Sequence, residues 1–527
     1  MYSIPYSQTG YFSKLMIDYL NRENQLKPLY NRFPTLENFK EQIEEKQNNF
    51  PAAHRRVLAS SLKKQYRNVA ISEKTTANIQ LLEQQNTFTV VTGHQLNLFT
   101  GPLYFLYKII STINLCRELK QAYPDQNFVP VYWMATEDHD FEEINFFNFN
   151  RIKFQWNKQA SGPVGRLSTE GLDAVFEHLQ QHLHLGNNAK KLTNLFEQAY
   201  LKHENLTDAT RYLANELFGS EGLVIVDGDD TALKKLFAPH IAEELKNQSS
   251  IKAVEKSYDI LKDYFTQVNP REINLFYIEN GLRERIVFEE NLYKVLNTDL
   301  RFTQEEILNL VATNPEKFSP NVILRPLYQE VILPNLCYIG GGGELAYWLE
   351  LKEVFSLHNI PFPMLLLRNS VLLATEKQNK KREKLNLSWN ELFLKTEAFV
   401  QKKTHDLAQN TFDFEQQKAF LQKQFQDLMQ LTEKTHPSFL GAVKAQEVKQ
   451  IKGLNNLEKR FYKAERLKNQ ELIDRMTDLK IALFPNNSLQ ERVDNFATLY
   501  VEFGQQLIDV LLEELKPLDQ NYSIITL

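Results

Sequence analysis

The sequence predicts an α/β protein whose parallel sheet carries the functional residues and is followed by a long helical segment. Three observations predict this class. An apolar strand at residues 88–92 leads through a glycine-containing turn and a helix over 103–122 into a second strand at 131–135. Polar or glycine-rich segments directly follow these and later strands. Between residues 372 and 515 glycine is scarce and Leu recurs at spacings of three and four, which is typical of long helices.

Composition predicts a globular protein without a broad basic surface. The chain has 527 residues, of which 43% are hydrophobic and 24% charged, and its formal net charge is −5. A chain of this length exceeds one ordinary core, so we expect two or three structural units. The net charge argues against nucleic-acid binding through a basic face. Two cysteines, Cys116 and Cys337, cannot build a disulfide framework or a Cys-based zinc module.

Neither a membrane span nor an export signal is visible in the sequence. No run approaches the roughly 18 consecutive apolar residues that cross a bilayer. The N-terminal segment lacks the basic stretch, apolar core and small-residue cleavage site of a secretory signal peptide. We therefore expect a cytoplasmic protein with no membrane partner.

The chain divides into four predicted parts. These are an N-terminal helical layer (1–85), a core (86–371) with inserted segments at about 146–220 and 270–320, a helical coiled coil (372–485), and a C-terminal helix and tail that pack back on the core (486–527). The second insert predicts a small antiparallel sheet, because strands at 275–278 and 285–288 flank an Asn280-Gly281 turn. The tail predicts one helix over 493–515 and a strand at 522–527.

Charged residues follow the strand at 131–135 without a break. They are Glu137, Asp138, His139 and Asp140, at the carboxyl end of the strand, where open parallel sheets bind ligands. Carboxylates beside a histidine can bind a metal, orient an imidazole as a base, or hold a substrate amine. The alternative is a solvated turn that leads into an acidic helix N-terminus, which the helix dipole favours.

A turn of Gly93, His94 and Gln95 follows the first strand and opens at the same predicted edge. Strand, turn, helix and strand form one βαβ unit, which is right-handed in a parallel sheet. A histidine in such a turn can donate to phosphate beside the N–H groups of the helix start. The alternative is that His94 and Gln95 only cap the turn. The segment is neither a GxGxxG loop nor a Walker A loop.

Four consecutive glycines, Gly340, Gly341, Gly342 and Gly343, separate a strand at 336–339 from a helix that we expect to begin at Glu344. Glycines in this position expose backbone N–H groups, so that phosphate or carboxylate can approach closely. A flexible connection is the alternative, but flexibility is an unusual requirement at the centre of a sheet. We favour the binding role.

The C-terminal helices predict an antiparallel coiled-coil hairpin. One apolar seam contains Phe414, Leu421, Leu428 and Leu431, and a second contains Leu454, Leu457, Phe461 and Ala464. A turn at Pro437 lies between the two seams. Because such hairpins commonly join subunits, we predict a homodimer through the coiled coil.

Together these motifs resemble the cysteine ligase family of bacillithiol biosynthesis, the bacillithiol cysteine-adding enzymes. The matching pieces are Thr92-Gly93-His94-Gln95, Gly101-Pro102-Leu103-Tyr104 with Tyr107-Lys108, Glu137-Asp138-His139-Asp140-Phe141 with Glu143-Ile144-Asn145, Leu324-Arg325-Pro326, and the run from Gly340 to Trp348. They span about 260 residues. His94 stands where this family more often has a glutamine.

The resemblance implies a Rossmann-like core with inserted connecting segments and a dimerising coiled coil. It also implies the reaction, in which the carboxyl group of cysteine is joined to the amino group of glucosaminyl-malate. Amide formation from a free carboxylate is uphill in water, so we infer that ATP activates the cysteine as an adenylate, with Mg²⁺ as a candidate companion of the nucleotide. The small-molecule partners expected are therefore cysteine, glucosaminyl-malate and ATP.

Residue roles in this scheme are hypotheses from position and chemistry. Gly93, His94, Gln95 and the run Gly340, Gly341, Gly342 and Gly343 would hold the nucleotide phosphates, and His94, Asp138, His139 and Asp140 are the catalytic candidates. The substrate-binding candidates are Glu137, Asn145, Arg325, Glu344 and Tyr347, with Arg325 facing the malate carboxylates. We expect no metal site built by protein side chains.

Two other functions remain open at this point. The residues from Glu137 to Asp140 would serve a metal-dependent hydrolase, although their spacing is too tight for all four side chains to meet one ion. A non-catalytic scaffold, in which a nucleotide-binding domain carries a coiled coil, is the second. It leaves the unusual residues at the strand ends without a purpose.

Overall fold

The computed structural model describes residues 2–183, 185–408, 413–432, 436 and 438–527. The chain forms two compact units. The first contains Met1–Leu373 together with Ser488–Leu527, and the second contains Ala374–Asn487. Within the part of the chain that is described, no helix has the length and apolar character needed to span a bilayer.

The strands, in chain order, are β1 Tyr2–Pro5, β2 Thr87–His94, β3 Asn127–Met134, β4 Phe146–Phe149, β5 Ile152–Gln155, β6 Val224–Asp227, β7 Leu275–Glu279, β8 Leu282–Glu289, β9 Leu292–Val295, β10 Arg301–Phe302, β11 Phe318–Pro320, β12 Asn335–Gly340, β13 Met364–Leu367, β14 Val371–Ala374 and β15 Asn521–Thr526.

The α-helices up to the end of the core are α1 Tyr6–Thr9, α2 Lys14–Leu20, α3 Phe39–Asn49, α4 Ala52–Gln65, α5 Glu73–Leu81, α6 Tyr104–Ala122, α7 Phe141–Ile144, α8 Leu172–His182, α9 Asn187–Leu201, α10 Leu206–Phe218, α11 Thr231–Asn247, α12 Ser249–Leu261, α13 Gln304–Thr313, α14 Arg325–Ile332, α15 Gly342–Leu349 and α16 Lys352–Leu357. They are followed by α17 Glu376–Lys384, α18 Trp389–Leu392, α19 Thr396–Leu407, α20 Phe414–Thr432, α21 Ser438–Lys468, α22 Gln470–Leu483, α23 Ala497–Phe503 and α24 Gln506–Glu514.

The central sheet of the first unit has five strands in the order β13-β12-β2-β3-β6, and all neighbouring pairs are parallel. Numbered along the chain, this is the order 5-4-1-2-3, which is the doubly wound Rossmann arrangement read from the other edge. The direction of winding reverses between β2 and β12. Ligands of such sheets bind at this switch point, outside the carboxyl ends of the strands.

Burial on both faces explains why these strands read as continuous apolar runs. Every residue of β2 and β12 is buried, and β-branched and aromatic side chains cover both sides of the sheet. On one side Phe88 and Val90 pack with Leu115 of α6 and with Cys337. Both cysteines are free and buried, so they serve as small apolar side chains in the core.

The two inserted segments differ in architecture. Residues 146–220 form the β4–β5 hairpin followed by α8, α9 and α10. Residues 275–320 contain a five-stranded antiparallel sheet in the order β10-β9-β8-β7-β11. As predicted, β7 and β8 are joined at Asn280 and Gly281, and Gly281 has a φ of 75°. This sheet forms one wall of the cavity described below.

The chain termini meet in a third sheet, β1-β15-β14. The C-terminal strand was predicted, whereas β1 was not, because four residues carry too little periodicity to identify a strand. The predicted single helix over 493–515 is wrong. The chain forms α23 and α24 instead, separated at Gly504, whose φ of 59° and ψ of −139° are incompatible with a continuous helix.

The second unit contains the predicted helical hairpin. Phe414 contacts Phe461 and Lys418 pairs with Glu458 at 2.7 Å, so residue numbers run in opposite directions along α20 and α21 and the helices are antiparallel. Part of each predicted seam is wrong, because the side chains of Leu428, Leu431, Leu457 and Ala464 are exposed. Phe425 is buried instead. The predicted turn residue Pro437 lies outside the described residues.

Candidate active site

A cavity of about 690 Å³ lies at the switch point of the central sheet. Its walls come from the ends of β2, β3, β12 and β13, from the start of α15, from the inserted antiparallel sheet and from the segment that precedes α23. The predicted site residues that line it are Gly93, His94, Gln95, Glu137, Asp138, Arg325, Gly341, Gly342, Gly343, Glu344 and Tyr347. The sequence motifs therefore converge although 250 residues separate the first from the last.

His94 is buried at the end of β2, with 6% of its surface exposed. Its ring packs against Tyr104 and Phe105, with centroids 5.5 and 5.0 Å away. Burial lowers the pKa of His94 well below its ordinary value, and the positive charge of Lys108 lowers it further. The ring is therefore neutral.

The hydrogen-bonding capacity of His94 is partly unused. Nε2 is buried and has no partner among the described residues. The backbone of Thr100 raises the pKa of the ring, but burial and Lys108 lower it more. A neutral imidazole carries one proton, so it donates from Nε2 to a phosphate only in the tautomer that places the proton on Nε2.

The glycine run is partly helical. Gly342 and Gly343 are the first residues of α15, two positions earlier than predicted, because the carboxylate of Glu344 caps the helix by accepting from the Gly341 N–H at 2.8 Å. Gly340 ends β12 and does not line the cavity. A Cβ added at this position would lie only 2.9 Å from the Tyr338 ring, so the ring occupies the space beside it. Three of the four glycines thus face the site.

An ion pair between buried Lys108 and half-buried Glu344 connects the two glycine-containing turns. Lys108 of α6 donates to the Gly93 carbonyl at 2.7 Å and lies 2.6 Å from the Glu344 carboxylate. Tyr338 donates to the second oxygen of Glu344 at 2.7 Å. Burial raises the pKa of Glu344, but the attraction of Lys108 and its hydrogen bonds lower it more. Glu344 is therefore an ionised group whose contacts position the site, and its predicted substrate contact stays a prediction.

The charged residues after β3 point in different directions. Glu137 lines the cavity and pairs with Lys234 at 2.6 Å. Asp138 also lines it, whereas His139 and Asp140 are exposed and lie outside its walls. The four side chains thus provide no converging metal ligands. More generally, no group of three or more His, Cys, Asp or Glu side chains in the described ranges is arranged to hold a metal.

Asp138 accepts hydrogen bonds at both carboxylate oxygens. Gln95 donates to one carboxylate oxygen at 2.6 Å, and the backbone N–H of His139 donates to the other at 2.8 Å. Arg283 of β8 lies 3.4 Å from the same oxygen. Burial alone would raise the pKa of Asp138, but the His139 side chain, 3.5 Å away, lowers it most, and the Arg283 charge and the two hydrogen bonds add to this, so it lies well below its usual range. Asp138 is suited to bind a cation and poorly suited to remove a proton.

The predicted substrate residues Arg325 and Asn145 have different surroundings. The Arg325 guanidinium lies over Trp133, Tyr338 and Trp348 at 5.7 to 5.9 Å, and one of its terminal nitrogens is buried without a partner among the described residues. Asn145 is buried behind α7, where its amide donates to Glu142 at 3.3 Å, and it does not line the cavity.

Tyr347, the remaining predicted substrate residue, stands on α15. It is half-buried in the cavity wall, and burial raises its pKa while the nearby charge of Arg325 lowers it. Arg325 itself donates to Gln329 at 3.1 Å. These contacts make the Arg325 side of the cavity a rigid aromatic wall that carries a cation.

The whole chain matches one family in two consecutive segments. Residues 1–369 match the family described as Bacillithiol biosynthesis BshC, N-terminal Rossmann-like domain, and residues 371–527 match Bacillithiol biosynthesis BshC, C-terminal coiled-coil domain. The chain belongs to the BshC family. The predicted family and the predicted fold class, a Rossmann-like core followed by a coiled coil, are confirmed.

Relatives in this family match from end to end. A protein of Flavobacterium johnsoniae named "Putative cysteine ligase BshC" is 60% identical over 99% of both chains. A protein of Bacillus mycoides with the same name is 28% identical over 97% of this chain and 98% of its own. Among solved structures, arginyl-tRNA synthetase from Plasmodium falciparum covers 81% of this chain and 75% of its own at 11% identity and a TM-score of 0.24, a likeness too weak to support an inference.

Several cations of this BshC cavity escaped the sequence analysis. Arg283 and Arg285 come from the inserted sheet, Arg271 from the segment before it, Arg368 from the end of β13, and Arg492 from the chain that precedes α23. Only Arg368 had a usable signal, because it directly follows an apolar strand. The others reach the site through the inserted sheet and the returning C-terminal segment, which sequence spacing does not place.

Behind the cavity, two acids at the end of β6 titrate differently. Asp229 is held by Arg166 at 2.7 Å and by Lys234 at 3.4 Å. Asp227 accepts hydrogen bonds from Thr136 and from the Asp229 N–H. Burial, followed by the charge of Asp229, raises the pKa of Asp227 to about 6. Between about pH 4 and pH 6, Asp227 is therefore protonated in the folded protein and ionised in the unfolded chain.

Replacing Asp227 with Asn is expected to change how stability depends on pH. Because the folded pKa of Asp227 lies above its ordinary value of 3.8, wild-type stability should fall as pH rises from about 4 to about 6. Asp227→Asn should remove this contribution and stabilise the protein at neutral pH. The thermal midpoint measured across this range tests it, with exposed Asp125→Asn as the control. An unchanged pH profile in Asp227→Asn would contradict the assignment.

Proposed function

We propose that this protein joins the carboxyl group of cysteine to the amino group of glucosaminyl-malate, with ATP activating the cysteine carboxylate. Membership of a family of bacillithiol biosynthesis supports the pathway, and the relatives' name supports the ligase reaction and its cysteine substrate. The observation that carries the proposal is the cavity, where one wall is built to bind anions and a separate carboxylate is held ionised beside it. Activation of the cysteine carboxylate requires a site for the phosphates of ATP, and transfer to the amine requires a group that binds the substrate ammonium.

Activation is required because water favours the free carboxylate and amine over the amide. In the proposed first half-reaction the cysteine carboxylate oxygen attacks the α-phosphorus of ATP and pyrophosphate leaves. In the second, the substrate ammonium releases a proton to water, the resulting amine attacks the acyl carbon, a second proton passes to water, and AMP leaves. The protein would contribute positioned N–H donors from the start of α15 and from the arginines of the cavity wall. Mg²⁺ would enter with the nucleotide phosphates.

Asp138 is proposed to hold a substrate ammonium group. It is ionised, half-buried and directed into the cavity, and Gln95 and Arg283 fix its orientation. An ammonium ion would complete its hydrogen bonds at the oxygen that Gln95 contacts. The candidate roles of His139 and Asp140 stay predictions, and they require movement of the segment before α7, because both residues are outside the cavity walls.

Two assays test the function. The purified protein should form the cysteinyl amide of glucosaminyl-malate and consume ATP, and it should exchange labelled pyrophosphate into ATP when cysteine is present. A host strain that lacks this gene should lose bacillithiol and accumulate glucosaminyl-malate, as measured by mass spectrometry of the thiol pool. Unchanged pools would overturn the ligase proposal. Ligation without pyrophosphate exchange would overturn only the adenylate route.

We also propose that the second unit joins two copies of the chain. Phe420, Leu428 and Leu431 lie on one face of α20, at spacings of eight and eleven residues, and are 56%, 41% and 56% exposed. A stripe of large apolar side chains at helical spacing is a natural contact for a second copy of the same hairpin. The two copies would contact each other through the same helix face.

The dimer proposal predicts that Phe420→Glu shifts the protein to monomers. A charge in the centre of an apolar contact remains without a partner, so the apparent dissociation constant should rise by at least about 10-fold. Sedimentation velocity over a concentration series measures this. Gln422→Glu adds the same charge two residues away, on the opposite side of α20, and should leave the mass unchanged. A wild-type protein that sediments as a monomer would overturn the proposal.

A further inference from the structure

We propose that Arg368 binds a phosphate-class oxyanion beside the start of α15. The inference rests on the proposed use of ATP, and it assigns the contact to a residue that was not among the predicted site residues. Arg368 directly follows β13, its backbone N–H donates to the Gly340 carbonyl at 2.9 Å, and its side chain is 3% exposed. It therefore forms part of the cavity wall next to the glycine run.

Three of the five N–H groups of Arg368 donate to protein acceptors, and these contacts fix the direction of the guanidinium. Nη1 donates to the Asn369 carbonyl at 2.9 Å and to Ser370 at 3.1 Å, while Nη2 donates to Glu491 at 2.8 Å. Nε is buried and has no hydrogen-bond partner among the described residues. A buried N–H without an acceptor is costly, and because this one lies in the cavity wall, an oxygen of a bound ligand can serve as its acceptor.

Space for the ligand lies at Gly341. A Cβ at this position would be 3.8 Å from Nε of Arg368 and 3.4 Å from the Glu344 carboxylate, so the missing side chain leaves room between them. Gly342 and Gly343 begin α15, where backbone N–H groups have no intrahelical acceptor. An oxygen in this space can accept from Arg368 and lie close to the helix start.

The local charges favour an anion. Lys108 neutralises Glu344 at 2.6 Å, and Glu491 is shared by Arg368 and the Val371 N–H. Arg325 adds a further positive charge close enough to act on Lys108. Three cations therefore face two carboxylates in this wall, and a bound oxyanion would balance the excess.

The geometry favours a phosphate over a carboxylate. A carboxylate is bound best by the two parallel N–H groups of a guanidinium fork, but both N–H groups of Nη1 and one of Nη2 already donate to protein acceptors. A tetrahedral group can accept from the remaining N–H groups and from the backbone N–H groups at the start of α15 together. Such a group presents oxygens in several directions and reaches both Arg368 and the helix start at once.

Inorganic pyrophosphate is the probe for the test, with binding measured by calorimetry on the full chain. Arg368→Lys keeps the charge near Glu491 but removes Nε, and it should weaken pyrophosphate binding by about 10-fold or more. Gly341→Ala should weaken it as well, because the added methyl group fills the ligand space. Gly341 has a φ of −75°, so alanine is compatible with the backbone there.

Arg211→Lys is the matched control. Arg211 is 1% exposed and also has an unpartnered Nε within the described residues, but it lies outside the cavity. Arg211→Lys should therefore share any thermal destabilisation of Arg368→Lys and retain wild-type affinity for pyrophosphate. The inference is overturned if Arg368→Lys binds pyrophosphate as tightly as wild type does. It is also overturned if Arg368→Lys loses binding of the dicarboxylate L-malate but keeps binding of pyrophosphate.

These outcomes remain separate from those of the proposed function. If the wild-type protein ligates cysteine with ATP but Arg368→Lys binds pyrophosphate normally, only the inference about Arg368 fails. If pyrophosphate binding depends on Arg368 while no cysteinyl amide is formed, the anion site stands and the ligase proposal fails.

Discussion

Asp138→Asn should lower kcat/KM for the glucosaminyl-malate amine by about 100-fold, because a charge-assisted hydrogen bond to ammonium contributes about 1.5–3 kcal/mol. Asparagine has the same shape and keeps an oxygen for the Gln95 donor, so the fold should survive. The lost negative charge also leaves Arg283, 3.4 Å away, to repel an approaching ammonium group. A steady-state ligation assay with varied amine concentration provides the measurement.

The pH dependence of the same reaction offers a second readout for Asp138. Its folded pKa is held well below the usual range, so the carboxylate stays ionised from weakly acidic to neutral solution and should not produce an acidic limb there. Glu142→Gln, an exposed neutral replacement on α7, is the matched control and should remain within about twofold of wild type. A small effect of Asp138→Asn, below about threefold, would remove Asp138 from the substrate contacts.

Lys108→Met should destabilise the first unit by about 3 kcal/mol, because removing one member of a buried ion pair leaves the other charge uncompensated. Glu344 would lose its cation, and the Gly93 carbonyl would lose its side-chain donor. Because Lys108 connects the two turns of the cavity, ligation should also fall sharply. Chemical denaturation monitored by circular dichroism measures the free energy of unfolding.

A double variant separates charge from packing at this ion pair. Lys108→Met combined with Glu344→Gln removes both charges and should recover more than half of the lost stability, since no buried charge remains alone. The sign of the pH effect follows from the lowered pKa of Glu344. Its contribution is present above the unfolded pKa and disappears as pH falls through the folded value. Additive losses in the double variant would contradict this account.

The turns of the site were predictable because their glycine and charged residues directly follow apolar strands in the sequence. A glycine turn after β2, a glycine run after β12 and a charged segment after β3 all follow apolar strands, and parallel strands release their carboxyl ends at one edge. The hairpin at Gly281 was predictable for a similar reason, since Asn-Gly between alternating strands specifies its turn.

Side-chain direction was not predictable from the same residues. Asp138 and His139 are neighbours in sequence, yet one faces the cavity and the other is exposed. Direction depends on how the segment after β3 turns and on the donors that meet it from Gln95 and Arg283, which are 43 and 145 residues away. Spacing carries no information about such partners.

The sequence by itself determined the family and the order of strands and helices in the core. It also determined which strands end in glycine-rich or charged segments that line the site. These features depend on local periodicity and motifs. The tertiary structure alone decided which charges are available. It pairs Glu344 with Lys108 and Glu137 with Lys234, and it brings Arg368 beside Gly341. The physical reason is that an ionisable group's function depends on its burial and its nearest partner, and the partner of a buried charge is set by packing rather than by sequence distance.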